Sequence, residues 1–250
     1  MAARVTAPRT WLLREPSKSA PQETELLFGF EFRIDRVKKN WAYGQAMSPL
    51  SQDILGYIGW VRRENLNEDL VPRTHFINAL KAPVFKKADI KSRIKGLLHM
   101  GAQINAARIE DVFIELSSGG YIHRKHLQPL GRYVETDFVT IAEAHLELPY
   151  VWGGVSTDGL DCSGLVQSAL RAVGRDCLRD AGQQEDSLGT VLKNMAALKR
   201  GDLVFWPGHV GIMSDGETLL HANAFHMKVA QEPFAAARAR IGEPRTIKRL

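Results

Sequence analysis

At 250 residues the chain is long enough for one large domain or several small ones, and 44% apolar with 24% charged is the balance of an ordinary globular protein. Its apolar runs are short, and the opening MAARVTAPRTWLLREPS has no apolar core of signal-peptide length; no membrane partner and a cytoplasmic location are expected. Two cysteines make no disulfide framework, and a net charge of +5 spread along the chain gives no nucleic-acid signature.

The first half consists of short apolar segments broken by turn residues, such as ELLFGFEFRIDRV, WAYGQAM and YIGWV, and reads as small β-structure. A faint internal repeat runs through it. Gly56-Tyr57-Ile58 followed by Leu66 recurs as Gly120-Tyr121-Ile122 followed by Leu127, and LLFG ending at Gly29 recurs loosely as LLHMG ending at Gly101. The spacing of about 64 residues is that of a small β-barrel. Two barrels are expected, 1–66 and 67–131, with RENLNEDLVPRT as the polar joint. The densest basic stretch, FKKADIKSRIKG, reads as a solvated face.

A third domain is expected over 132–250. TDFVTIAEAHLEL carries apolar residues at Phe138, Ile141, Ala142 and Leu146, a helix that ends before Pro149. A second helix begins at Cys162. There Cys162, Leu165, Val166, Ala169, Leu170 and Val173 make one apolar stripe, and Gly174 stands where a C-terminal cap belongs. GDLVFW, HVGIMSD and ETLLHANA read as strands, which makes the domain a helix-then-sheet, α+β arrangement.

Cys162 admits two readings. It is the first member of the apolar stripe, and it also sits at a helix N-terminus, where unpaired N–H groups and the macrodipole favour thiolate. The Gly-rich loop before it, WGGVSTDGLD, lets backbone approach a ligand and favours the nucleophile. Cys177, in a charged loop with no periodic partner, reads as incidental. A nucleophilic cysteine needs a base and a group to orient it. If Ser214-Asp215-Gly216 is a three-residue hairpin loop, Met213 pairs with Glu217, Gly211 with Leu219 and His209 with His221, on one face. A two-residue loop would throw His221 to the other face. Cys162, His209 and His221 thus form a nucleophile, base and orienting group, with helix amides as oxyanion donors. The same three side chains could bind zinc, but no CxxC, HxH or HExxH spacing supports a metal, and no cofactor is expected.

YVWGG…GLDCSGLV, GDLVFWPGHVGIM and LLHANAFHM resemble the three motifs of the NlpC/p60 family of cell-wall cysteine peptidases. The resemblance covers about 130–250 and implies a papain-like fold with Cys162 as nucleophile, His209 as base and His221 as third member. The first half resembles the pair of SH3-like (SH3b) barrels preceding this domain in γ-D-glutamyl-L-diamino acid endopeptidases. That resemblance implies hydrolysis of peptidoglycan stem peptides with a free N-terminal L-Ala, through a thioester acyl-enzyme, in cell-wall recycling. It further implies Asp161 and Tyr57 on the substrate amine and Ser163 on the substrate. The subgroup's glutamate after LLFG is absent: Phe30 follows Gly29, and Glu31 comes one place later. Rival expectations are a cell-wall-peptide binding module with an inactive domain, and an acyltransferase or amidase on the same scaffold.

Overall fold

Burial alternates along Glu31–Lys38, where Phe32 and Ile34 are buried while Arg33 and Asp35 face water. That period of two is what one wetted sheet face requires. The computed structural model describes residues 1–47, 56–68, 70–193 and 198–250. The chain divides into two compact units, Met1–Val134 and Glu135–Leu250.

In the first unit β1 (Ala2–Val5), β2 (Arg9–Leu13), β3 (Gln22–Leu27), β4 (Glu31–Lys38), β5 (Trp41–Ala46), β6 (Ile58–Arg62) and β7 (Leu66–Asn67) form an antiparallel sheet. Its order among the described residues is β3-β2-β6-β5-β4-β1-β7. The succession then repeats as β8 (His75–Ile77), β9 (Lys81–Phe85), β10 (Ile94–His99), β11 (Gln103–Ile104), β12 (Ala106–Glu110), β13 (Phe113–Leu116), β14 (Tyr121–His123) and β15 (Leu127–Pro129). These strands pair as β10-β9-β14-β13-β12 and β11-β8-β15.

The repeat read from sequence falls on equivalent places. Gly29 and Gly101 follow β3 and β10 with the same φ of +83°, their N–H groups donating to Val5 and Ile77 carbonyls at 2.8 and 2.9 Å. A Cβ on Gly29 would lie 2.0 Å from the Gln103 carbonyl oxygen, so only glycine fits. Ile58 and Tyr121 start β6 and β14, and a 3-10 turn follows each strand, Arg63–Asn65 and Arg124–His126. The spacing is not constant, because the β5-to-β6 connection runs over 47–57 and the β13-to-β14 connection only over 117–120. Asp69 of the polar joint lies outside the described residues. Phe30 is buried with Phe32 and Ile34, and the register irregularity of β4 falls between Ile34 and Arg36. No bulge therefore turns Glu31 to the side of Phe30. The basic stretch lies between and along β9 and β10, and Lys86 to Lys91 are exposed there.

The second unit contains α1 (Phe138–Glu143), β16 (Val155–Ser156), β17 (Gly159–Leu160), α2 (Cys162–Ala172), α3 (Ala181–Ser187), β18 (Thr190–Val191) and β19 (Leu203–Trp206). β20 (His209–Met213), β21 (Thr218–Asn223), β22 (Lys228–Pro233), α4 (Phe234–Ile241) and β23 (Thr246–Arg249) complete it. The described strands form one sheet in the order β18-β23-β19-β20-β21-β22. Helix α2 packs on β20 and β21. Its stripe is buried from Cys162 through Leu165, Val166 and Ala169 to Leu170, and Gly174 at φ +79° follows it. Phe234 and Ala237 of α4 join Val204, Trp206, Met213 and Leu219 in a core cluster. Helix α1 is shorter than its sequence pattern, ending at Glu143 ahead of turns that precede Pro149. No helix among the described residues is long and apolar enough to cross a membrane.

Candidate active site

Cys162 is the first residue of α2, and Asp161 is its N-cap, accepting a hydrogen bond from the Gly164 N–H at 2.7 Å. A short acceptor at this position satisfies an orphan amide and starts the helix where the thiol stands. The helix end does not leave that thiol ionised. Burial pushes Cys162 up to about 11, the Asp161 charge adds to this, and the Val210 and Ser163 amides and Arg179 oppose it. Desolvation therefore outweighs the helix-end effect expected from sequence, and the resting sulfur is a neutral thiol. The Val210 amide that reaches it belongs to the residue after His209.

His209 Nε2 lies 2.9 Å from His221 Nδ1. The register that achieves this differs from the expected one. Met213 pairs with Leu219 and Ile212 with Leu220, and Ser214 to Glu217 connect β20 to β21, closed by the Ser214 N–H on the Thr218 carbonyl at 2.8 Å. The Asp215 carboxylate accepts from the Glu217 and Thr218 amides, both at 2.7 Å, and drives the wider turn. Continuing the register, His221 faces Gly211 and His209 lies diagonally across. A shift of two preserves the face, whereas a shift of one would have lost it. Burial lowers both rings, His209 to about 4 and His221 to about 3, with Arg240 adding to each. Both imidazoles are neutral at rest. His221 Nε2 continues to Glu232 Oε1 at 2.8 Å, and the Arg240 guanidinium contacts the same oxygen.

Asp161 is committed elsewhere than the amine role expected for it. Arg179 Nη2 and Nη1 meet its Oδ2 and Oδ1 at 2.7 and 2.9 Å, with side-chain exposures of only 3% and 10%. The Gly153 and Gly164 amides and the Ser163 hydroxyl also donate to it. A carboxylate has about four lone-pair sites, and five donors occupy these. Ser163 Oγ accepts from Arg179 Nη1 at 2.9 Å, which places this hydroxyl inside the same network. Arg179 was not singled out from sequence, since nothing in a charged loop marks which arginine turns inward. Tyr57 lies half-buried in the first unit, directly ahead of β6, its carbonyl accepting from the Ala46 N–H at 2.9 Å. Cys177 is not on a loose loop: it is buried, and Gln167 Nε2 donates to its carbonyl at 2.9 Å. Tyr150 stays a phenol, pushed up to about 12, first by burial, with the Asp161 charge adding to it.

Among the described residues one group could gather a cation: His221, His226 and Glu232, whose ligand atoms lie within 4.8 Å of one another. His221 Nε2 is already spent on Glu232, and Arg240 supplies the positive charge there. The arrangement is a hydrogen-bonded chain in which the Arg240 guanidinium faces the Glu232 carboxylate.

The sequence profile described as NlpC/P60 family matches residues 147–239. The chain is 28% identical over 219 residues to the gamma-D-glutamyl-L-lysine dipeptidyl-peptidase of Bacillus subtilis (strain 168), covering 80% of this chain and 72% of that protein. It is 27% identical over 250 residues to dipeptidyl-peptidase 6 of Lysinibacillus sphaericus, covering 89% and 88%. Its fold is similar along its whole length to an NlpC/P60 family protein from Bacillus cereus ATCC 10987, with a TM-score of 0.84 at 18% identity and coverage of 100% and 99%.

Proposed function

The C-terminal unit belongs to the NlpC/P60 family, and from that premise we propose that this chain is a cysteine peptidase acting on peptidoglycan stem peptides at the bond between γ-D-Glu and the diamino acid. One observation carries the reading: His209 and His221 are joined at 2.9 Å, and the amide next to His209 reaches the thiol of Cys162. That is a nucleophile, a base and a group holding the base.

In the proposed reaction the Cys162 Sγ–H proton passes to His209 Nδ1 as sulfur bonds to the scissile carbonyl carbon. The oxyanion forms beside the Ser163 amide at the head of α2. Collapse breaks the C–N bond, and the departing amine takes the proton from His209. Water then attacks the thioester, giving its proton to His209, and the thiol is restored when the C–S bond breaks. Starting from a neutral thiol and neutral imidazole, proton transfer and attack are coupled.

The two repeated β-units of the first half are proposed to be SH3-like barrels. Relatives named dipeptidyl-peptidases fit a substrate with a free N-terminal L-Ala. Since Asp161 is saturated by donors of its own chain, a free-amine requirement is not assigned to its carboxylate and is decided by comparing blocked with free peptides. The test is incubation with L-Ala-γ-D-Glu-L-Lys and with its diaminopimelate counterpart, free and N-acetylated, beside the Cys162→Ala protein. Release of L-Ala-γ-D-Glu from the free peptides by the unaltered protein alone is expected. Equal turnover by Cys162→Ala would end the cysteine-peptidase reading, and equal turnover of acetylated peptides would end the amine requirement only.

A further inference from the structure

Three adjacent strands set three polar side chains in a diagonal row. His209 stands on β20, His221 on β21 and Glu232 on β22, where Glu232 pairs with Leu219 and Ala230 pairs with His221. The diagonal step across antiparallel strands is within reach of long side chains. His221 Nε2 is 2.8 Å from Glu232 Oε1, while its other nitrogen is 2.9 Å from His209 Nε2.

The order of protons along this row follows from one end. An ionised carboxylate only accepts, so the His221 proton sits on Nε2. Its Nδ1 is then a lone pair, and the contact with His209 requires the His209 proton on Nε2. His209 Nδ1 is left as a lone pair, the one form in which this ring can take the thiol proton. We propose that Glu232 is a positioning residue of the catalytic set, fixing the tautomers of both His221 and His209 so that the base is presented to Cys162. This rests on the assignment of Cys162 and His209 made above.

Without Glu232, His221 is free to carry its proton on Nδ1 and donate to His209 Nε2. His209 then holds its own proton on Nδ1 and has nothing with which to accept from sulfur. In a triad, the wrong tautomer costs rate with the geometry intact. Arg240 has the opposite influence. Its guanidinium touches the same Glu232 oxygen, stacks over the Phe225 ring at 4.2 Å, and works against a proton on either histidine. The other charges facing the pair are Asp161, which favours a proton on His209, and His226, which disfavours one on His221.

The experiment uses the full chain and a readout that needs no peptide substrate: the pH dependence of Cys162 alkylation by iodoacetamide, followed on the Cys162 peptide by mass, beside kcat/KM on L-Ala-γ-D-Glu-L-Lys. Glu232→Ala is expected to lower both by about 10–100-fold, the loss usual for an outer partner that orients a histidine, and to move the alkylation profile to higher pH. Glu232→Gln restores most of the loss, because its amide oxygen accepts from His221 Nε2–H. Arg240→Gln moves the profile to lower pH. A Glu232→Ala protein alkylated within about twofold of the unaltered chain at every pH overturns the proposal. So does an Arg240→Gln profile that stays put or moves with that of Glu232→Ala, which keeps the test decisive should Glu232→Ala not fold. Alkylation shifts of the expected kind in a chain that hydrolyses no stem peptide would uphold the tautomer relay and refute the peptidase reading alone.

Discussion

Arg179 and Asp161 meet as a buried bidentate ion pair, Nη2 to Oδ2 at 2.7 Å and Nη1 to Oδ1 at 2.9 Å, directly ahead of the cysteine. Removing one partner of such a pair strands a desolvated charge and costs about 3–5 kcal/mol. Arg179→Met is therefore expected to lose stability on that scale in urea unfolding. Because Asp161 caps α2 and is filled by chain donors, Asp161→Asn is expected to lower turnover of the free peptide through kcat, with KM little changed. A rise in KM with kcat unchanged would show that the carboxylate still meets the substrate amine.

The second prediction concerns the thiol. With Cys162 pushed up to about 11 and His209 down to about 4, the resting pair is uncharged. Alkylation of Cys162 should climb steadily from pH 7 to pH 10, as thiolate fraction grows about tenfold per unit below the pKa. A preformed thiolate–imidazolium pair would instead give a rate already flat from mildly acidic pH. Cys177, buried and pushed up to about 12 by that burial, has no histidine bonded in its row and should label more slowly throughout. Equal rates for the two cysteines would remove the special status of Cys162.

The sequence held more of the site than of the scaffold around it. The α2 stripe, Gly174 and the pairing of two histidines on one face follow from periodicities of 3.6 and 2, which backbone geometry enforces. The β20–β21 register differs by two residues from the one the spacing suggests, because the Asp215 side chain captures the Glu217 and Thr218 amides. An even shift leaves the parity, hence the face, intact. Glu232, Arg240 and Arg179 were not legible. Each acts through a partner distant in sequence, and single charged residues look alike before the chain folds. AGQQEDS of α3 has no apolar period, and FAAARARI of α4 has few large apolar groups, so neither helix announces itself. The Asp161 cap was visible in principle, as an aspartate just before an apolar-periodic run.

Buried histidines should make the fold acid-labile. His145, His209 and His221 are all lowered from 6.5, chiefly by burial, the last two to about 4 and about 3. Below pH 6.5 the unfolded chain binds protons that the folded chain refuses, so stability falls as pH falls through this window. Carboxylates titrate mostly lower, which leaves pH 6.5 to about 5 to the histidines. Tm is expected to decline across that interval. His145 donates Nδ1–H to the Ile141 carbonyl at 2.8 Å, and its Nε2 has no hydrogen-bond partner. His145→Gln, away from the catalytic set, should flatten the decline. A Tm constant from pH 7 to 5 would show that these rings charge freely in the fold.

Gly211 is the position at which the β20–β21 register can be tested most directly. A Cβ there would lie 2.7 Å from Leu219 Cδ1, 3.1 Å from its Cγ and 3.4 Å from His221 Cβ. Leu219 cannot swing aside cheaply, since it is fully buried among Val204, Trp206, Met213 and Phe234. Gly211→Ala is therefore expected to cost about 1–3 kcal/mol of stability as an overpacked core site. It also crowds the carbon that carries the His221 ring, whose bond to His209 holds the base. Activity should consequently fall through kcat more than through KM, because in the proposed reaction His221 orients the base and does not bind the peptide. In the three-residue-loop register Gly211 would instead face Leu219, and His221 would stand opposite His209. An alanine that lowers stability while leaving kcat unchanged would favour that pairing over the one described here.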